Sequence, residues 1–493
     1  MSQLLLGSWI ALLVGCTKPD PESNPGKTFP EAFKWGSATS GFQVEPGCPT
    51  WSDEVCVDTQ SDWYAWVTSP EIIDSMPVTG EDVRHSPGMW ETFEDDVQLM
   101  QQDGHTLYRL SIEWSRIFPD DASAATSVDE LEPYANSAAI LRYHEFFAAL
   151  DAAGIEPLVT INHNTLPLWV HDGVGCHFDY ENCTARGWAD PATAYRIALY
   201  AGFVGREFGA EVDQWATLNE PFANLLSGYV QPGEDRAGPP GLTLAAEPGV
   251  AVIRNQIEAH AAMYDQLKTE DLSDVDEDGA AANVGIVLNM VAIDPKNPDR
   301  PEDDDAVAHA DHLYHRLFLD GLTDGAWDED IDGDFDTTRD DLADRLDWIG
   351  INYYNRMLVS SIAPFQPFGD LAPAFDFLPE FTWESYEEGI GRVVERASVY
   401  GLPIFITENG TPNTEDAEPI LEGHLESLWQ AIDAGADVRG YAYWSFVDNY
   451  EWSHGLDMRF GLYELDIATK ARTPRPVAER YREIIAAHGL GPE

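Results

Sequence analysis

The chain has 493 residues, 44% of them hydrophobic and 11% aromatic, so it can bury a large core and wholesale disorder is excluded. Its formal net charge of −59 excludes nucleic acid as a partner, since a phosphate backbone must be met by clustered Lys and Arg, and it disfavours polyanionic substrates. So acidic a surface suits salty surroundings or export, and speaks of environment more than of chemistry.

In chain order, residues 1–16 read as a signal peptide. The apolar run from Leu4 to Val14 is too short to cross a bilayer. It ends in Leu13-Val14-Gly15-Cys16, which resembles the lipobox of bacterial lipoproteins and makes Cys16 a candidate for lipidation. No Lys or Arg precedes the run, a departure from the usual export signal, and an ordinary cleaved signal is the competing reading. Residues 17–27, polar and Pro-containing, read as a flexible tether. The expected location is therefore outside the cytoplasm, either attached to the cell envelope or secreted or periplasmic, with membrane contact only through that anchor. Four further cysteines fall in two close pairs, Cys48 with Cys56 and Cys176 with Cys183. Each pair would staple a small loop in an oxidising compartment, the alternative being four free thiols. There is no C-x-x-C spacing, which argues against zinc.

Residues 28–488 show no second composition shift and read as one domain. Apolar runs rich in β-branched and aromatic residues recur at 33–37, 106–114, 157–163, 214–220, 284–290, 348–354, 403–408 and 440–446. Stretches with helical periodicity lie between them, as from Tyr143 to Ala153 and from Ile420 to Ala434. Eight strands alternating with helices predict an α/β fold, a single (β/α)8 TIM barrel with long βα loops. Several runs end near residues able to do chemistry: His163, Glu220, Asn289, Tyr354 and Glu408. In such a barrel the C-terminal strand ends converge on one face. Glu220, closing strand four, and Glu408, closing strand seven, would then lie on opposite sides of one pocket. Paired carboxyl groups on rigid strand ends are what glycosidic bond hydrolysis requires. Most of the sixteen tryptophans are assigned to core packing.

Two acidic inserts, Asp274-x-Asp276-x-Asp278-Gly279 and Asp328-x-Asp330-x-Asp332-Gly333, look like the first half of a calcium loop. At the twelfth position of each, where a bidentate Glu is expected, stand Gly285 and Arg339. Solvated acidic loops are preferred over a structural calcium ion, and no cofactor is expected.

From about Phe29 to Ile485 the chain resembles a β-glycosidase of glycoside hydrolase family 1. The matching strings run from Trp35 to Gln43, Tyr108 to Arg116, Thr217 to Pro221, Gly350 to Tyr354, Ile406 to Gly410 and Trp444 to Trp452, in the family's order. The stretch from Ser61 to Val67 is similar to the archaeal branch. The resemblance implies Glu220 as general acid/base and Glu408 as nucleophile, with Arg109 and Tyr354 beside Glu408 to keep it ionised. It implies that Gln43, His163, Asn219, Asn352, Glu451, Trp452 and Phe460 bind the sugar, with Trp444 as a stacking platform. A carboxylate at Glu451 would also repel a 6-phosphosugar. After His163 the family usually has an aromatic residue and this chain has Asn164, which leaves the sugar preference open. The expected activity is that of a retaining exo-β-glycosidase on terminal β-D-glucosyl residues, with β-D-galactosyl or β-D-fucosyl as close options. A transglycosidase on the same site and a non-catalytic carbohydrate-binding barrel are the alternatives. The expected partner is a small β-glycoside or oligosaccharide, and oligomeric state is left open.

Overall fold

A computed structural model describes residues 26–491, apart from 235, 277–278, 363–376 and 383. Residues 1–16, Cys16 and most of the expected tether lie outside the described residues. Each predicted run forms a strand: β1 (Lys34–Ala38), β2 (Leu107–Ser111), β3 (Glu156–Asn162), β4 (Gln214–Asn219), β5 (Asn283–Asn289), β6 (Trp348–Tyr353), β7 (Ile404–Asn409) and β8 (Val438–Trp444). All pair in parallel with their chain neighbours, and β1 closes the ring against β8, with Lys34 opposite Gly440. Each strand is followed by a helix on the outside: α1 (Met89–Gln102), α2 (Ser137–Ala153), α3 (Ala192–Phe208), α4 (Ala246–Glu270), α5 (Leu317–Asp324), α6 (Glu388–Ser398), α7 (Ala417–Asp433) and α8 (Pro476–Ala487). The predicted TIM barrel is therefore the observed fold.

Side chains alternate across a strand, so every second residue points into the barrel. Leu107, Leu158, Ala216, Val287, Trp348 and Phe405 form one buried layer inside it, one residue from each of β2 to β7. The Trp348 indole fits only because position 285 is glycine: a Cβ there would lie 2.3 Å from the ring. Two residues further along β2, β3 and β5, alternation brings Arg109, Thr160 and Asn289 inward again. The polar residues of the C-terminal face thus rest on a dry apolar floor. Of the tryptophans, Trp35, Trp66, Trp215 and Trp348 are at most 2% exposed, in line with the core assignment, whereas Trp63, Trp444 and Trp452 line the cavity above the barrel.

Strand register matters where the carboxyl groups sit. Pairing of β7 with β6 shifts between Ile406 and Glu408, setting Glu408 opposite Asn352 and Asn409 opposite Tyr353. A second irregularity lies between Ala216 and Asn219 on β4. Irregularities of this kind re-aim side chains, and here they fall at the last residues before the mouth of the barrel.

The long βα loops are stapled as expected, by disulfides Cys48–Cys56 and Cys176–Cys183. A small sheet outside the barrel (Ala292–Pro295, Arg356–Ser361 and Phe377–Thr382) leans over its mouth and contributes Phe381 to the cavity. Among the described residues no helix is long and apolar enough to cross a membrane. The acidic inserts bring Asp328, Asp330 and Asp332 within 4.8 Å of one another, and Asp274 and Asp276 likewise with Asp213; Asp278 lies outside the described residues. Neither insert completes a calcium loop. Gly285 is embedded in β5, and Arg339 pairs with Glu258 and Asp341.

Candidate active site

Strand β4 ends at Asn219, and the chain turns at Glu220 with φ 45° before Pro221 opens a short helix. Proline disfavours helical geometry in the residue before it and suits the first helical position. The left-handed backbone at Glu220 is a strained conformation for a residue with a Cβ. It is held by the Glu220 amide donating to the Val287 carbonyl at 2.9 Å. The turn delivers the carboxyl group into a cavity of about 490 Å³ at the C-terminal mouth of the barrel. Glu408 faces the same cavity from β7. The two carboxyl groups that the sequence placed on separate strands are thus brought together.

Their surroundings differ. Arg109 is fully buried and fans out to four acceptors: Nη1 to Glu408 Oε1 at 2.5 Å and to the Thr407 carbonyl at 3.4 Å, Nη2 to Asn219 Oδ1 at 2.7 Å, and Nε to Thr160 Oγ1 at 3.1 Å. The Tyr354 hydroxyl donates to the other Glu408 oxygen at 2.6 Å. Among the described residues Glu220 meets no cation at contact distance. It accepts only amide N–H bonds, from Asn352 at 2.8 Å and Asn289 at 3.3 Å.

Burial raises the pKa of both carboxyl groups, because it penalises charge, and at Glu220 the negative charge of Glu408 adds to it. Glu220 is pushed up to about 7. At Glu408 the Arg109 charge and the Tyr354 and Arg109 hydrogen bonds oppose the rise. This corrects the expectation of a carboxyl lowered by its cation: burial outweighs Arg109, and Arg109 with Tyr354 instead decides which of the two ionises first. Glu408 therefore takes the charge and Glu220 keeps the proton.

One amide network fixes the rest. Asn219 Oδ1 accepts from Arg109 and from Asn352 Nδ2 (3.0 Å), so its amino group points to His163 Nε2 at 3.1 Å. Asn352 Oδ1 accepts from Thr407 at 2.8 Å. His163 must then carry its proton on Nδ1, and burial together with Arg109 holds its pKa well below the ordinary value, so the ring is neutral. That Nδ1 is buried without a protein partner, as is Gln43 Oε1. Such orphaned groups cost about 1–3 kcal/mol each until a ligand pairs with them. His163 stacks between Trp444 (5.8 Å) and Trp452 (6.0 Å). Phe460 packs edge-on against Tyr354 at 5.9 Å.

Gln43 donates to Glu451 Oε2 and Asn449 Oδ1, both at 3.0 Å. His163, Asn219, Trp444, Glu451, Trp452 and Phe460 line the cavity, and Gln43 and Asn352 adjoin it through their bonds to Glu451 and to Asn219 and Glu220. Enclosure and the two neighbouring glutamates push Glu451 to about 8. At neutral pH it is largely a neutral acid in the free protein, so repulsion of a phosphate by a standing charge there is weaker than its residue type suggests. Asn164, the departure from the aromatic pattern, has φ 72°. Asn tolerates that left-handed geometry better than nearly any residue except glycine. Its Oδ1 is another buried acceptor without a partner, and it lines the cavity.

Trp63, Phe222, Tyr314, Phe381 and Met458 also line the cavity and were not read from the sequence, while Arg236 joins them from the Gly- and Pro-rich stretch 233–241, which the sequence suggests for the leaving-group side. Tyr314 lies in a π turn (His312–Arg316) and Phe381 on the outlying sheet, so no strand-end pattern marks them. Asn289 was legible as a strand end, although its bond to Glu220 was not.

A closed (β/α)8 barrel with two differently tuned carboxyl groups in one cavity defines a glycoside hydrolase. The model of the family described as "Glycosyl hydrolase family 1" matches residues 26–490, and the chain belongs to that family. The β-galactosidase of Pyrococcus woesei is 32% identical over 94% of this chain and 98% of its own. Among solved structures, the β-glycosidase of Thermosphaera aggregans is 27% identical with TM-score 0.80, covering 94% of this chain and 98% of that one. A hyperthermophilic β-glucosidase from Pyrococcus furiosus is 28% identical with TM-score 0.78, covering 94% and 97%. The family implies no cofactor.

Proposed function

We propose that this β-glycoside hydrolase is a retaining exo-enzyme removing terminal β-D-glucosyl residues by double displacement. The observation that carries the reading is the asymmetry of the carboxyl pair. Glu408 is gripped by Arg109 and Tyr354, and Glu220 is held near pKa 7 by burial and by the charge of Glu408. Glu408 attacks the anomeric carbon as the glycosidic C–O bond breaks, and Glu220 passes its proton to the departing oxygen. The product of this half is a glycosyl ester on Glu408 and a carboxylate at Glu220. That carboxylate takes a proton from water, whose oxygen attacks the anomeric carbon and frees Glu408. Two inversions leave the product β.

His163, Asn219, Gln43 and Glu451 present planar polar groups that suit adjacent sugar hydroxyls, with Trp444 beneath the ring. The unpaired His163 Nδ1 and Gln43 Oε1 are a ready donor and acceptor for them. Glucose and galactose differ in the direction of one hydroxyl, and the names of the relatives divide between the two, so β-D-galactosyl and β-D-fucosyl substrates stand close behind. Following hydrolysis of an aryl β-glucoside by proton NMR tests the stereochemistry. β-Glucose must appear first, and α-glucose as the first-formed anomer would refute the mechanism. The two disulfides support an exported protein, and the lipidated Cys16 is part of this proposal. Release of a Cys16→Ser variant from the envelope fraction would be its signature, and equal retention of both forms would count against it.

A further inference from the structure

We infer that the leaving-group side of the cavity is built for an aglycone bearing a carboxylate, with Arg236 as the residue that takes it. The inference rests on Glu220 being the group that protonates the leaving oxygen, because it uses Glu220 to locate that side. Tyr314 marks the place: its hydroxyl lies within electrostatic reach of both Glu220 and Arg236. Its ring packs on Phe222 at 4.3 Å and on Phe381 at 6.4 Å, and the Arg236 guanidinium sits over the Phe381 ring at 4.4 Å. Glu220, Tyr314, Phe381 and Arg236 thus form one continuous wall of the cavity.

Two features of this wall point to a ligand. The Tyr314 hydroxyl is buried, 4% exposed for the residue as a whole, and among the described residues it meets no partner at full hydrogen-bond geometry, only the Arg236 guanidinium beside it at the margin of bonding range. Arg236 pairs with no carboxylate among the described residues, in a chain with 87 acidic and 28 basic side chains. With acids in threefold excess, most arginines here find a partner, as Arg116, Arg142, Arg392 and Arg472 do. A guanidinium that lies over an aromatic ring and pairs with no described carboxylate keeps N–H donors available for a planar carboxylate, which it can meet with two parallel bonds. The aromatic walls suit a ring between that carboxylate and the glycosidic oxygen. The global charge of −59 opposes anions only at a distance: at about 0.1 M salt, fields beyond roughly 10 Å are screened, and the local cation decides. One carboxylate fits this wall, and a polyanion does not.

The test compares 4-carboxyphenyl and 4-carbamoylphenyl β-D-glucosides, which differ little in shape and by one charge. The ratio of their kcat/KM values is measured in the wild type, Arg236→Gln and Arg236→Lys. Taking the ratio within each enzyme and comparing it between enzymes cancels the intrinsic difference between the two leaving groups. The carboxyl-to-carbamoyl ratio should fall about tenfold in Arg236→Gln, in keeping with loss of a charge-assisted hydrogen bond, and take an intermediate value in Arg236→Lys. An unchanged ratio overturns the inference, whatever happens to the two rates together. Calorimetric binding of the same glucosides to Glu408→Gln, with and without Arg236→Gln, reads the same ratio without turnover. If the wild type hydrolyses neither glucoside, the fault lies with the proposed glucosidase activity, and the binding ratio still decides the role of Arg236.

Discussion

Replacing Tyr354 by Phe removes one oxygen and leaves the ring against Phe460 in place. In the wild type that oxygen donates to Glu408 Oε2 at 2.6 Å, while Arg109 holds Oε1. The phenol stays protonated throughout the working range, because burial and the Glu408 charge raise its pKa well above the ordinary value. A hydrogen bond to a charged group contributes about 1.5–3 kcal/mol. Since 1.36 kcal/mol corresponds to one pKa unit, the loss should raise the Glu408 pKa by roughly 1–2 units. The sign follows from which form the hydroxyl stabilises. It bonds the carboxylate, so without it Glu408 holds its proton to higher pH. The acid limb of kcat/KM against pH therefore moves upward, towards the alkaline limb, and the bell narrows. The alkaline limb reports Glu220 losing its proton near pH 7 and should move much less, although groups this close titrate as a set. At the wild-type optimum kcat should fall about 10- to 100-fold, equivalent to the same free energy. The assay is a pH series with an aryl β-glucoside, read in kcat and kcat/KM. An acid limb that stays put or moves downward would refute this assignment of Tyr354 and with it the account of Glu408.

The remaining predictions follow from the same contacts. Glu408→Ala should abolish turnover of aryl β-glycosides with the far-UV circular dichroism unchanged; near-normal activity would sink the mechanism. Glu220→Gln should lose most activity on glycosides with poor leaving groups and retain far more on activated ones such as dinitrophenyl, which leave without a proton; an equal loss on both would contradict the acid role. Arg116→Met strands the buried Glu45 carboxyl, which Arg116 bonds from above the Trp90 ring, and should destabilise the protein by ~3–5 kcal/mol, seen as a lower melting temperature. Gly285→Ala forces a methyl into the Trp348 indole and should cost ~1–3 kcal/mol, with an unchanged melting temperature as the contrary result.

The barrel was legible in the sequence because its strands are apolar runs of a length and spacing that few other folds produce. All eight predicted runs match observed strands to within a few residues at either end. Glu220, Glu408 and Tyr354 were legible for the converse reason, since acidic and hydroxyl groups at the ends of such runs have no packing purpose, whereas Arg109 was marked only by the resemblance to the family. Local pattern also gave both cysteine pairs, because seven- and eight-residue loops close without help from the rest of the chain. What tertiary structure alone decided is how those groups are tuned and what stands opposite them. Proton affinities depend on burial and on charges that arrive from other strands, so the Glu408 carboxyl rises despite Arg109, and Glu451 is pushed up to about 8. The wall of Phe222, Arg236, Tyr314 and Phe381 comes from the loop after β4, a π turn and an outlying sheet, segments far apart in sequence with no shared periodicity. Asn164 shows both levels in one residue. Its identity marked a departure from the aromatic pattern, and only the fold gave it a left-handed backbone and a buried, unpartnered acceptor at the cavity wall.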